Sequence, residues 1–117
     1  MVAKIDRTAL KTKLDRKEPV VLVEALPPRY FADAHLPGAL NIPHDQVDAL
    51  APRLLPDKDA EIVVYCANTP CRNSTIAADR LAALGYTRVR DYKEGKEDWA
   101  KAGLPLEASV AAWRRSP

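Results

Sequence analysis

The chain has 117 residues, 47% of them apolar and 29% charged, with 18 basic against 16 acidic side chains for a formal net charge of +2. This length supports one domain spanning residues 1–117 with its own core, and the balance excludes a disordered or fibrous protein. Basic residues are scattered and no apolar run nears the roughly 20 residues of a membrane span, which argues against nucleic acid and membrane as partners.

Helical and strand patterns alternate along the chain. Residues 8–17, with Leu10 and Leu14 four apart, predict a short helix with a solvated charged face. Residues 20–25 form an apolar strand bounded by Pro19 and by Pro27 and Pro28. Residues 30–34 predict a short helix before the turn at Pro37 and Gly38, residues 39–42 a short strand, and residues 45–55 a helix that Pro52 interrupts. Residues 61–65 are again strand. Residues 74–84 predict the clearest helix, with Ile76, Ala77, Leu81 and Leu84 on its buried face, Asn73 or Ser74 as its cap and Gly85 closing it in the left-handed conformation. A strand over 88–91, a helix around 97–101 and an amphipathic segment over 106–114 follow; Val110 and Trp113 give the last an apolar face that covers the core or meets a second subunit. Trp99 and Tyr92 are expected to pack the preceding helix on the sheet. Strands alternating with helices predict an α/β fold with a parallel sheet covered on both faces.

Both cysteines fall in one stretch, VVYCANTPCRNSTIAADRLAALGY, residues 63–86. The N-terminus, MVAKIDRTALK, has no apolar signal core, so the expected location is cytoplasmic. There, paired cysteines point to catalysis, redox chemistry or metal binding before a permanent disulfide. Cys66 ends a strand where the loop to the next helix begins, which is where reactive centres of open α/β sheets lie. The loop residues Ala67, Asn68, Thr69, Cys71, Asn73 and Ser74 can turn backbone amides on an anion, and Arg72 can add a guanidinium. Together with the helix N-terminus these groups are expected to lower the Cys66 pKa and supply a thiolate nucleophile. The alternative is an inert, buried cysteine. Cys71 is a small loop residue, a resolving thiol for Cys66, or a metal ligand; two cysteines and two histidines at no recognised spacing make no zinc site. No metal or cofactor is expected. His35 is expected to tie backbone together, and His44 to be solvated.

The stretch from Cys66, the upstream AHLPGALNIP and the downstream YKEGKEDWAKAGLPLE together resemble the rhodanese-like domain family, in that family's usual order and over about residues 20–107. The resemblance implies a five-stranded, mostly parallel sheet flanked by helices, with the active loop beginning at Cys66. It also implies sulfur transfer: the Cys66 thiolate takes sulfane sulfur from thiosulfate or a protein persulfide and passes it to a thiol or cyanide-like acceptor. Three features depart from the family pattern. VLVEAL places Glu24, Ala25 and Leu26 where a DVR-like motif is usual, Glu94-Gly95-Lys96 stands for Glu-Gly-Gly, and CANTPCRNS is one or two residues longer than the common loop. Cys66 to Arg72 also has the C-x5-R spacing of cysteine-dependent phosphatases, whose loop amides and arginine hold a tetrahedral oxyanion. Pro70 removes one such amide. A noncatalytic binding or redox-sensing module is the third reading.

Overall fold

A computed structural model describes residues 2–108, so most of the amphipathic C-terminal segment, including Val110 and Trp113, lies outside the described residues. Ten elements follow one another: β1 (Ala3–Lys4), α1 (Arg7–Asp15), β2 (Val20–Glu24), α2 (Pro28–Asp33), β3 (Leu40–Asn41), α3 (Val47–Leu54), β4 (Glu61–Tyr65), α4 (Asn73–Ala83), β5 (Arg88–Tyr92) and α5 (Gly95–Lys101). The five strands form one sheet in the order β1-β5-β4-β2-β3, with every pairing parallel. The family resemblance implied a mostly parallel sheet; this one is wholly so.

Strand alternation sorts the core into two layers. Val23, Ala25, Ile62, Val64 and Val89 face α3 and α4, where they meet Val47, Ala51, Ala77, Ala78 and Leu81. Leu22, Val63, Tyr65 and Tyr92 face the other way, onto Leu10 of α1 and Trp99 of α5. Every residue of β4 is buried, because it lies between β5 and β2 with helices over both faces. Trp99 meets Tyr92 edge to face, ring centres 6.4 Å apart, as the sequence predicts.

Four local expectations are corrected. The sequence shows no strand at Ala3–Lys4; two residues without an apolar run become strand by pairing with Arg90 and Asp91. Pro52 does not interrupt α3, which runs through it to Leu54. Pro52 and Asp48 are both exposed, so water can take the Asp48 carbonyl that the missing N–H leaves free. In α4 the buried stripe is Ser74, Ala77, Ala78 and Leu81, a spacing of three, one and three, which turns Ile76 outward at 48% exposure. Arg72, with no side-chain bond, occupies the N-cap position expected of Asn73 or Ser74. Gly85 does close α4 with φ of 98°.

His35 is buried and structural as expected: its Nδ1 lies 2.7 Å from the Phe31 carbonyl, its ring stacks on Phe31, and its backbone exchanges hydrogen bonds with Glu107. His44 departs from expectation, being half-buried with its Nδ1 enclosed and unpartnered.

The end of β2 carries a fully buried carboxylate, Glu24. Both its oxygens accept hydrogen bonds from Lys96 Nζ at 3.1 Å, and Oε1 also accepts one from Tyr65 Oη at 2.9 Å. Burial raises the Glu24 pKa, and the Lys96 ammonium opposes that rise. A carboxyl raised in the folded state contributes stability below its unfolded pKa and loses it as pH climbs through the folded value. Lys96→Met removes the opposing charge, so it should destabilise the fold by roughly 3–5 kcal/mol near neutral pH and less in mild acid. Urea midpoints measured across pH check this; a pH-independent loss would mean that Glu24 is already neutral.

Candidate active site

Cys66 is the first residue beyond β4, and its side chain is completely buried. Residues 66–72 curl back because the Cys71 N–H is held by the Asn68 carbonyl at 3.1 Å and by Asn68 Oδ1 at 3.2 Å, a tight turn with Thr69 and Pro70 at its exposed tip. The turn lays Cys71 over Cys66. The Cys66 thiol donates to the Cys71 carbonyl at 3.5 Å.

The root of the loop is clamped from α5. The N–H of Lys96 donates to the Cys66 carbonyl at 2.9 Å and that of Glu97 to the Ala67 carbonyl at 2.8 Å. Gly95 makes this approach possible, since with φ of +70° a Cβ would stand 2.5 Å from the Cys66 carbonyl oxygen. Asn68 Nδ2 adds a bond to Glu97 Oε2.

The electrostatics reverse the sequence expectation for Cys66. Burial pushes its thiol above the ordinary value and the Cys71 thiol adds to the rise, outweighing the Ser74 hydroxyl and N–H that favour charge. The Cys71 thiol is the one held below the usual range. Burial opposes this, but the Cys66 thiol, the Asn73 and Ala67 N–H groups and the Lys93 ammonium together prevail. The amide nest therefore serves mainly Cys71, which is partly exposed.

The predicted residues are thus divided. Cys66, Cys71 and Ser74 converge, with the Ala67 and Asn73 amides beside them. Asn68 shapes the turn, and Thr69 lies in an open groove of about 350 Å³ walled by Glu94, Glu97, Asp98 and Lys101. Arg72 is exposed and lines a cavity of about 550 Å³ with Lys4, Thr75, Asp79, Asp91 and Lys93. The cation at the thiols is Lys93, whose Nζ donates to the Cys71 carbonyl at 2.6 Å. The sequence reading missed Lys93; its position directly after β5, beside β4 in a parallel sheet, was the available signal. Among the described residues no group of three or more His, Cys, Asp or Glu side chains is placed to hold a metal ion.

Residues 6–102 match the family model for the rhodanese-like domain. The chain belongs to the rhodanese-like domain family. This rhodanese-like domain is 32% identical over 108 residues to a sulfurtransferase from Allochromatium vinosum, covering 92% of this chain and 97% of that one. It is also 34% identical over 64 residues to thiosulfate sulfurtransferase PspE of Escherichia coli, covering 55% of this chain and 60% of the relative. Among solved structures, the BH2092 protein of Bacillus halodurans superposes with a TM-score of 0.83 at 26% identity, over 92% of this chain and 78% of that one. The rhodanese-like domain thus falls in a sulfurtransferase family. No helix among the described residues is long and apolar enough to cross a membrane.

Because thiolate is the species that alkylates, iodoacetamide at neutral pH should label Cys71 first and leave Cys66 largely unmodified. Lys93→Met should move the Cys71 titration upward. Peptide mapping across pH decides the order, and preferential labelling of Cys66 would contradict the assignment.

Proposed function

We propose that this rhodanese-like domain is a sulfurtransferase in which Cys66 carries the sulfane sulfur, with thiosulfate or a protein persulfide as donor. The observation that carries the reading is Ser74. Its hydroxyl is fully buried, beside Cys66, and has no hydrogen-bond partner in the resting site. An orphaned buried hydroxyl costs about 1–3 kcal/mol, and negative charge on Cys66 or on a sulfur attached to it would satisfy it.

The Cys66 proton passes to the Cys71 thiolate, and Cys66 Sγ attacks the outer sulfur of thiosulfate. The sulfur–sulfur bond of the donor breaks and sulfite leaves with its electron pair. The Cys66 persulfide then yields its outer sulfur to a thiol or cyanide-like acceptor. The donor is an anion, and the cavity of Lys4, Arg72 and Lys93, with Asp79 and Asp91 also in its wall, is the more positive of the two beside the loop, the groove of Glu94, Glu97, Asp98 and Lys101 being acidic. A cytoplasmic setting, with reduced thiols as acceptors, suits this chemistry.

The phosphatase reading needs a guanidinium over the loop and a ring of free amides. Here Arg72 lies in the flanking cavity, Pro70 has no amide and the Cys71 amide is spent on Asn68. A binding module, in turn, gives no reason for a buried hydroxyl kept unpartnered beside a thiol.

Incubation of Cys71→Ser with thiosulfate should add one sulfur to the chain by intact mass, removable with cyanide, and adding Cys66→Ser should abolish the addition. Sulfur retained by Cys66→Ser would show that another group is the carrier. Arg72→Ala should raise KM for thiosulfate with kcat little changed, and unchanged kinetics would place the donor elsewhere.

A further inference from the structure

We propose that Cys71 is a built-in acceptor that reduces the Cys66 persulfide and releases its sulfur as hydrosulfide, leaving a Cys66–Cys71 disulfide. The proposal rests on sulfur transfer at Cys66 and assigns the fate of the sulfur. Three features carry it. The Asn68 turn places Cys71 over Cys66, with the Cys71 carbonyl 3.5 Å from Cys66 Sγ. Cys66 is entirely enclosed whereas Cys71 is partly exposed, so Cys71 is the nearest thiol to a sulfur on Cys66 and precedes any acceptor from solvent. Lys93, 2.6 Å from the Cys71 carbonyl, and the Ala67 and Asn73 amides stabilise negative charge on the attacking sulfur.

The step balances within the chain. Cys71 sulfur attacks Cys66 Sγ, and the bond from Sγ to the outer sulfur breaks. The outer sulfur takes the bonding pair together with the Cys71 proton, leaving as hydrosulfide. The two cysteine sulfurs are oxidised to a disulfide by two electrons, and the sulfane sulfur is reduced by the same two. A low-molecular-weight thiol in excess restores the dithiol for another cycle.

Attack on the outer sulfur instead would move the persulfide to Cys71 and expel Cys66 as thiolate. Thiol–disulfide exchange favours the more acidic leaving group. Burial makes Cys66 a weak acid, and hydrogen sulfide is a stronger one, so attack on the inner sulfur prevails.

The test loads the wild type with excess thiosulfate under anaerobic conditions, removes the donor by gel filtration, and follows sulfide and mass without added thiol. The expected result is one hydrosulfide per loaded chain and a peptide pair joined through Cys66 and Cys71. Cys71→Ser, loaded to completion, should keep its sulfur on Cys66 and release no sulfide. A wild-type persulfide that persists without sulfide or disulfide overturns this proposal and leaves sulfur transfer at Cys66 standing, as does sulfur found on Cys71. If neither protein takes up sulfur, the transfer reading itself fails and this inference with it.

Discussion

Lys96 is fixed at both of its ends, and the site depends on that double anchorage. Its backbone N–H holds the Cys66 carbonyl, while its ammonium reaches past β4 to Glu24 and to the carbonyls of Tyr30 and Ala34. One residue thereby joins the end of β2, α2 with the residue that follows it, the root of the reactive loop and the first turn of α5. Because Gly95 leaves no room for a side chain against the Cys66 carbonyl, the clamp sits at van der Waals limits. The base of the loop is thus hydrogen-bonded to the main chain of a residue whose side chain is held in a buried ion pair.

That rigidity explains how the charges are arranged. Lys96 is neutralised by Glu24, so it contributes little field at the sulfurs although its main chain touches the loop. Lys93, three residues earlier, acts on Cys71 rather than Cys66. A strand end held firmly by its neighbours buries its last side chain, and burial disfavours charge on that side chain. The precisely placed thiol is therefore the poorer acid, and the better acid lies on the turn above it. Placement and ionisation, which a single cysteine would have to combine, are divided between two.

The layered architecture was legible because β2 and β4 are apolar runs and α4 has clean punctuation, and the place of Cys66 followed from the end of β4. What stayed hidden were properties set by partners distant in sequence. Ala3 and Lys4 have no strand signature of their own and become strand only against β5. Ile76 belongs to no buried stripe once Ser74 defines the face, and a buried serine is not an expected anchor for a helix face. The pKa order of the cysteines depends on which sulfur the turn covers, and spacing alone does not say. Arg72 was given to the site on spacing, but a residue at the N-cap of α4 starts outside the helix and its side chain follows the β1 side.

Two departures from the family pattern turn out to be one. Glu24 in the strand motif and Lys96 in the glycine motif lie 72 positions apart in the chain, yet they form a single buried pair. Read separately, the first looks like a lost arginine partner and the second like an unwelcome side chain beside a tight turn. Read together, the cation that a DVR-like motif would supply from β2 arrives from α5, along with the main-chain amide that clamps Cys66. Either change alone would bury an unpaired charge, which is far costlier than the pair. Their co-occurrence therefore couples the end of β2 to the reactive loop through covalent continuity of one residue, and the loop inherits its position from a charge pair it does not contain.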